Sequence, residues 1–135
     1  MTAQVSIRLS FSKTKHLLCR AKINGQSARL LIDTGASSSC IDSSLKDHFA
    51  LHTRGEPFDA AGASEGKMHA IMSTKCILEL GNNFKGKQAF VLLDLSHVNL
   101  SLSSQGVKKI DGIIGADFLK KNKAIIDYSQ RKLFL

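Results

Sequence analysis

The chain has 135 residues, of which 43% are hydrophobic and 22% are charged, and this composition is typical of an ordinary globular protein with one core. No apolar stretch approaches the roughly 18 residues of a membrane-spanning helix, and residues 1–20 contain no uninterrupted apolar segment like that of a secretory signal. The sequence therefore predicts one domain over residues 1–135, no membrane contact and a cytoplasmic location.

The net charge of +8 raises the question of an anionic partner. The lysines and arginines are scattered, with clusters only at Lys108-Lys109 and at residues 120–123. Aromatic side chains do not alternate with them as they do on surfaces that stack bases. We therefore favour a solvated basic surface and expect no nucleic acid partner, and a basic adaptor for an anionic partner is kept as an alternative.

Short segments of alternating apolar and polar residues, separated by turn residues, predict an all-β barrel or sandwich. The first strand is expected at residues 5–11. Residues 17–23 and 26–32 flank Asn24-Gly25, which predicts a hairpin because both central residues of a type I′ turn need positive φ.

The second arm of this hairpin leads into the most informative segment of the chain, Leu30-Leu31-Ile32-Asp33-Thr34-Gly35-Ala36-Ser37. The apolar run predicts a buried strand that presents the carboxylate of Asp33 in a tight loop. Gly35 can take backbone angles that other residues resist, and it lets a second chain or a substrate approach closely. Taken alone, Asp-Thr-Gly is also compatible with an ordinary turn.

The middle of the chain contains weaker signals. Asp42-Ser43-Ser44 predicts the capped start of one or two helical turns, and Pro57 is expected to break the chain. Residues 96–109, rich in Ser, Asn and Lys, predict a flexible loop. Two strands are expected between Pro57 and residue 96, at residues 68–80 and 88–95.

The last third of the chain begins with Asp111-Gly112-Ile113-Ile114-Gly115-Ala116-Asp117. Two large aliphatic residues and a glycine precede a helix, and Asp117 is the predicted cap of that helix, which runs to about Asn122. The final strands are expected at residues 124–128 and 131–135. Asp111 and Asp127 are interpreted as turn residues.

The segments around Asp33 and Ile113-Ile114-Gly115 together resemble the aspartic peptidases of the retropepsin-like, single-domain branch, over residues 16–135. The pattern is similar to cellular and bacterial members more than to viral ones, because Ser37-Ser38-Ser39 and Ala116 stand where viral enzymes carry an acidic residue and an arginine. The resemblance implies an all-β, retropepsin-like acid-protease barrel with one or two short helices, completed by homodimerisation.

The resemblance also implies roles for individual residues. Asp33 is the expected catalytic residue, and Thr34, Gly35, Ile114 and Gly115 are expected to support its loop. A flap is expected at about residues 58–71. The expected substrate-binding residues are Ala36, Ser37, Gly62, Ala63, Ser64 and Gly66.

The chain contains a single Asp-Thr-Gly, so a second copy is needed to supply a second carboxylate, and a two-fold axis places Asp33 beside its symmetry mate. Two acids about 3 Å apart share one proton. The ionised acid takes a proton from water while the protonated one donates to the substrate carbonyl. The predicted function is therefore an aspartic endopeptidase that acts on peptides or proteins without a metal or cofactor. The alternative is a non-catalytic module of the same fold, which dimerises or holds a peptide.

The remaining titratable side chains predict no other chemistry. The odd number of cysteines, without ligand-like spacing, predicts reduced thiols and neither a disulfide framework nor a zinc site. Cys40 is interpreted as a small buried thiol. Of the histidines, only His48 and His52 have a spacing that a metal site can use, and we favour a structural role for them.

Overall fold

The structure, a computed structural model, describes residues 4–61 and 67–135. These residues form short strands, one 3₁₀ turn at Ser43–Leu45 and two α-helices. None of the described helices is long and apolar enough to cross a membrane. In chain order the elements are β1 (Ser6–Arg8), β2 (Ser10–Phe11), β3 (Leu17–Ile23), β4 (Gln26–Ile32), β5 (Cys40–Asp42), β6 (Thr53–Ala61), β7 (Lys67–Ser73), β8 (Cys76–Leu80), β9 (Phe84–Gln88), β10 (Val91–Leu93), α1 (Ser96–Ser104), β11 (Gly112–Ile114), α2 (Ala116–Lys121), β12 (Ile125–Asp127) and β13 (Lys132–Phe134).

Most strands belong to one ten-stranded sheet with the order β6-β7-β10-β5-β11-β4-β3-β8-β9, and β2 pairs with β3. Because side chains alternate across a strand, β3 and β4 contribute to two separate apolar clusters. Cys19 and Leu30 point into the larger cluster, whereas Leu18 and Leu31 point into the smaller one. The hairpin is therefore buried on both faces along much of its length.

The turn between β3 and β4 confirms the hairpin prediction, with both strand bounds as expected. Asn24 has a φ of 48° and Gly25 a φ of 84°, as a type I′ turn requires. The Asn24 side chain also ties the turn to its surroundings: Nδ2 donates to the Phe49 carbonyl at 2.8 Å, and Oδ1 accepts from the Ile77 N–H at 3.0 Å.

The two ends of the chain form a second, three-stranded sheet with the order β1-β13-β12. Val5 and Leu135 exchange backbone hydrogen bonds of 3.1 and 2.9 Å. The expected strand at residues 5–11 is two strands instead, since the chain leaves the terminal sheet after Leu9, whose N–H donates to the Arg131 carbonyl at 2.8 Å. β2 then pairs with the large sheet.

The prediction of one strand at residues 68–80 is wrong, because the chain turns between β7 and β8. Ser73 is fully buried there; its hydroxyl donates to the Thr74 carbonyl at 2.8 Å and accepts from the Phe90 N–H at 2.9 Å. The expected strand at residues 88–95 is likewise divided between β9 and β10.

Pro57 lies inside β6 and does not break the chain, contrary to expectation. β6 is the edge strand of the large sheet, and its pairing with β7 shifts register between Arg54 and Phe58. An edge strand with an irregular ladder tolerates a residue that has no N–H to donate.

The prediction of a flexible loop at residues 96–109 is also wrong, because its first part is the helix α1. Asp94 Oδ1 accepts from the Ser96 N–H at 2.8 Å at the start of the helix, and Leu102 is buried. Asn99 fixes the return of the chain: its Nδ2 donates to the Ile110 carbonyl at 3.0 Å, and its Oδ1 accepts from the Ile110 N–H at 2.7 Å.

Two smaller predictions concern polar turn residues. Asp42 accepts from the Ser44 N–H at 3.4 Å at the start of the 3₁₀ turn Ser43–Leu45, where the sequence predicts one or two helical turns, and Asp127 accepts from the Gln130 N–H at 2.9 Å. This backbone hydrogen bond is the main reason why the pKa of the Asp127 carboxyl lies below its usual range.

Candidate active site

Asp33 lies directly beyond the buried end of β4. Leu30 is fully buried and Ile32 is 7% exposed, whereas Asp33 is partly exposed. The Asp33 N–H donates to the Ile114 carbonyl at 2.9 Å, which continues the pairing between β4 and β11 by one residue. The carboxylate is thus presented at the point where an apolar strand emerges from the core, as the sequence predicts.

The loop after Asp33 folds back on the carboxylate. The Gly35 N–H donates to Asp33 Oδ1 at 2.9 Å, and the Ala36 N–H donates to the Asp33 carbonyl at 3.2 Å. The expectation of unusual backbone angles at Gly35 is wrong, because this glycine does not have a positive φ. A glycine is favoured here for lack of space, because an added Cβ would lie only 3.2 Å from Asp33 Oδ1.

β11 passes behind the loop, between β4 and β5. It runs parallel to β4, with Ile114 beside Ile32, and antiparallel to β5. Ile114 is fully buried. An added Cβ at Gly112 would strike the Cys40 carbonyl and lie 2.6 Å from Ile41 Cδ1, so a glycine is required where the three strands are closest.

Backbone N–H groups of Gly115 and of the start of α2 donate hydrogen bonds to the Asp33 loop. The Gly115 N–H donates to Ser39 Oγ at 2.9 Å, and the Ala116 N–H donates to the Ala36 carbonyl at 2.7 Å. An added Cβ at Gly115 would lie 2.6 Å from the Ala36 oxygen. The structure therefore brings Gly115 and Ile114 against the Asp33 loop, where the sequence predicts them.

Asp117 does not cap α2, contrary to expectation, because the helix begins at Ala116, before Asp117. The cap position is Gly115, which has no side chain. Asp117 Oδ1 instead accepts from the Ser39 N–H at 2.9 Å and from Ser39 Oγ at 2.7 Å, and Oδ2 accepts from Gln88 Nε2 at 3.3 Å. Ser39 is fully buried. This network joins the Asp33 loop to α2.

Ser39 and Gln88 are residues that reasoning from the sequence missed. Ser39 follows two other serines, and nothing in the sequence separates the buried member of that run from the exposed ones. Gln88 is 29 residues from Asp117 in the chain. Only the paired absence of the viral acidic residue and arginine pointed to a different way of fixing the loop.

The loop that follows Asp33 is mostly exposed to solvent. Thr34, Gly35 and Ser37 are exposed and Ala36 is partly buried. In the described part of the range predicted for the flap, β6 pairs antiparallel with β7, from Phe58 with Ala70 to Ala61 with Lys67. Four of the expected substrate-binding residues lie outside the described residues, namely Gly62, Ala63, Ser64 and Gly66.

The thiols are unsuited to nucleophilic chemistry. Cys40 is 5% exposed, and burial raises the pKa of its thiol to about 12. Burial also raises the pKa of Cys19 to about 12 and of Cys76 to about 11. The interpretation of Cys40 as a buried thiol is confirmed. Within residues 4–61 and 67–135, no group of three or more His, Cys, Asp or Glu side chains is arranged to hold a metal ion.

A sequence profile of the aspartyl protease family matches residues 19–118, which include Asp33 and Gly115. The sequence matches none of the curated proteins.

The fold is similar to that of solved retropepsin-like structures. The retroviral protease-like domain of Ddi1 from Leishmania major gives a TM-score of 0.62 at 18% identity, with 87% of this chain and 86% of that chain covered. A retropepsin-like aspartic protease from Rickettsia conorii gives 0.57 at 18% identity, with coverage of 98% and 90%. EIAV protease complexed with the inhibitor HBY-793 gives 0.57 at 17% identity, with coverage of 87% and 98%. The predicted all-β, retropepsin-like fold is confirmed, and cellular and bacterial proteins are among those that share it.

Proposed function

Because the chain belongs to the aspartyl protease family, we propose that it is an aspartic endopeptidase that cleaves peptides or proteins with a pair of Asp33 carboxylates, one from each of two copies. The observation that carries the proposal is the position of Asp33, partly exposed at the end of a buried strand and held through Oδ1 by the Gly35 N–H at 2.9 Å. In this proposal residues 1–135 form one domain, and the β6–β7 hairpin is the flap.

The chemistry requires two carboxylates with different protonation. Since like charges about 3 Å apart cannot both be ionised cheaply, the pair retains one proton over a range of pH. The ionised Asp33 accepts a proton from the attacking water, and the protonated one donates to the substrate carbonyl. The Gly35 N–H donates to Asp33 Oδ1 at 2.9 Å and so holds the carboxylate in position. The apparent pKa values belong to the pair.

The second carboxylate comes from a second copy of the chain, since the sequence contains one Asp-Thr-Gly. A two-fold axis beside Asp33 supplies it and lets Thr34 brace the two loops across the axis. The resemblance implies that residues 5–11 and 131–135 contribute strands to the interface. Among the described strands, β13 already has β1 and β12 on its two sides, so the edges of this sheet that are open to a partner strand are those of β1 and β12.

The β12 edge is the better candidate for the interface. Ile125 is 56% exposed and Tyr128 is 64% exposed, and both are large apolar side chains at or just beyond β12. The exposed end of β1 instead carries Arg8, which would face its own symmetry mate in an isologous contact. We therefore expect Ile125→Lys to raise the dimer dissociation constant in analytical ultracentrifugation, and to lower activity most at low protein concentration.

The experiment that tests the proposal is Asp33→Asn. The substitution removes the ionisable group from both halves of the pair while preserving size, so cleavage of a diverse peptide library at mildly acidic pH should fall to background and the fold should survive. Asp47→Asn is the matched control, because the Asp47 side chain is fully exposed. Wild-type activity should also fade at higher pH as the shared proton is lost.

A statine-type inhibitor gives a readout that does not depend on finding a substrate. Its hydroxyl takes the place of the attacking water between the carboxylates, so it should raise the unfolding temperature of the wild type more than that of Asp33→Asn. Equal cleavage by the two proteins would refute the role of Asp33. Absence of cleavage in both, with the inhibitor still bound, would favour the non-catalytic, peptide-holding module.

A further inference from the structure

A basic groove crosses the β3–β4 hairpin on the face opposite the larger apolar cluster. It consists of two adjoining concavities of about 530 and 560 Å³. Arg20, Gly81 and Asn82 line both of them, so the two concavities lie side by side, and we refer to them together as the basic groove. The other basic residues along it are Lys22 and Arg29 in the first concavity and Arg8 in the second.

The arginines of the groove are not paired with neighbouring carboxylates. Arg20 of β3 lies directly across from Arg29 of β4, and directly opposed Cβ atoms are only about 5 Å apart. Like charges at such a position are destabilising. Lys22 differs, because Glu79 lies across from it on β8. In the part of the chain that the structure describes, no carboxylate is within salt-bridge distance of Arg8, Arg20 or Arg29.

Asp111 is the acidic residue that lines the groove, and it is engaged with the backbone. Its Oδ2 accepts from the Arg29 N–H at 2.8 Å, and its own N–H donates to the Arg29 carbonyl at 2.8 Å. The carboxylate lowers the positive potential at this end of the groove but does not pair with the guanidinium.

Arg29 carries a second, independent sign of an absent acceptor. Its Nε is buried and has no hydrogen-bond partner among the described residues. A buried donor without an acceptor is unfavourable, and native structures rarely retain one without a reason. An oxyanion bound in the groove would give the Arg29 guanidinium an acceptor, because its planar fork fits carboxylate and phosphate oxygens.

We propose that the basic groove binds the carboxylate or phosphate of a peptide side chain, at a site separate from Asp33. Arg29 is four residues before Asp33 on the extended strand β4, and this separation is about 13 Å at the usual rise per residue. In the proposed arrangement the anionic residue of the peptide is therefore about 13 Å from Asp33, which corresponds to about four residues of an extended chain. The description of the groove as a docking site for substrate rests on the proposed function, whereas the binding itself does not.

A peptide fits the groove better than a nucleic acid does. None of the residues that line it is aromatic: apart from the basic residues and Asp111, the lining consists of serine, asparagine, glycine and aliphatic residues. Binding of single-stranded nucleic acid uses aromatic side chains on which bases stack. The groove offers instead isolated guanidinium groups at fixed positions, as side-chain recognition requires.

The test is direct binding, measured by fluorescence anisotropy with a labelled peptide of eight glutamates and with a phosphoserine peptide of matched length. The double variant Arg20→Gln with Arg29→Gln should weaken both by about tenfold or more, because two charge-assisted contacts are lost. Its matched control is Lys120→Gln with Lys121→Gln, which removes the same charge from exposed positions of α2 and should change the affinity by less than about twofold.

Each outcome decides between explanations. Stronger binding of one of the two peptides identifies the oxyanion source. Equal losses in the two double variants would overturn the proposal in favour of general electrostatic attraction, and so would undiminished binding by the groove variant. Tighter binding of a single-stranded oligonucleotide of equal charge would replace the peptide with a nucleic acid. Since the measurement involves no cleavage, it stands even if the proposed peptidase activity fails. Measurements with cleavable peptides, with and without an acidic tail, then show whether the groove double variant also raises KM for the peptide that carries the tail.

Discussion

The basic groove lies on the β3–β4 hairpin and the Asp33 loop directly follows that hairpin, but the polar groups of the groove and of the loop support are arranged in opposite ways. Beneath the loop, the Ser39 hydroxyl accepts from Gly115 and donates to Asp117, so donors and acceptors are matched within the chain. In the groove, Arg20 faces Arg29 and the buried Arg29 Nε has no acceptor. A region with a purely structural role can pair all of its hydrogen-bond donors and acceptors within the chain, whereas a region that binds a ligand leaves some of them unpaired for the ligand.

The largest loss of stability is expected at Gly115, where the Asp33 loop and its support are most closely packed. Gly115→Ala places a Cβ 2.6 Å from the Ala36 carbonyl oxygen, and a backbone atom cannot move aside as a side chain can. We expect the free energy of unfolding in urea to fall by about 3 kcal/mol, with activity reduced because the Asp33 loop shifts. Gly25→Ala serves as the comparison: it meets no atom within 4 Å, so only strain at positive φ, about 1 kcal/mol, is expected. A loss for Gly115→Ala no greater than that would contradict the close packing.

A smaller loss is expected when the polar network is broken without crowding. Ser39→Ala leaves the Gly115 N–H without its acceptor and removes one donor from Asp117, and the cost should be about 2 kcal/mol. Because the loop is positioned by this contact, kcat should fall more than KM rises. Ser38→Ala, at the exposed neighbouring position, should leave stability and kinetics nearly unchanged. If the two alanine variants behave alike, the network does not position the loop.

The smallest effect has the opposite sign and belongs to the groove. Arg20→Gln removes a like-charge contact with Arg29, so the free energy of unfolding should rise by about 0.5 kcal/mol at low salt. Lys22→Gln is the matched change on the same strand, and it should be neutral or slightly destabilising because Glu79 lies opposite. A loss of stability in Arg20→Gln would mean that the groove arginines are structural, and the contrast between the two regions would disappear.

The hairpin and its consequences were open to prediction from the sequence. Asn24-Gly25 specifies a two-residue turn, which fixes the register of β3 against β4 because each step away from the turn pairs one residue on either side. The same register predicts that Arg20 faces Arg29. The signal for the groove was therefore present, although the arginines look scattered along the chain.

The errors fall where distant contacts override local composition. Residues 96–104 are rich in Ser and Asn, which favour turns when they are alone. They form a helix because Leu102 is buried and Asn99 binds the backbone of Ile110. Pro57 remains in a strand because β6 lies at the edge of the sheet, and a position at an edge is not visible in a single sequence.

The sequence by itself determined the family, the β-rich fold, the hairpin and the emergence of Asp33 from a buried strand, because these depend on residues that are near one another in the chain. Only the tertiary structure decided that Asp117 anchors Ser39 and Gln88, and that both sides of β13 are already paired. The two contacts of Asp117 join segments that are 78 and 29 residues apart in the chain. The free energy that selects them comes from packing and from satisfying buried polar groups, which no local pattern of residues records.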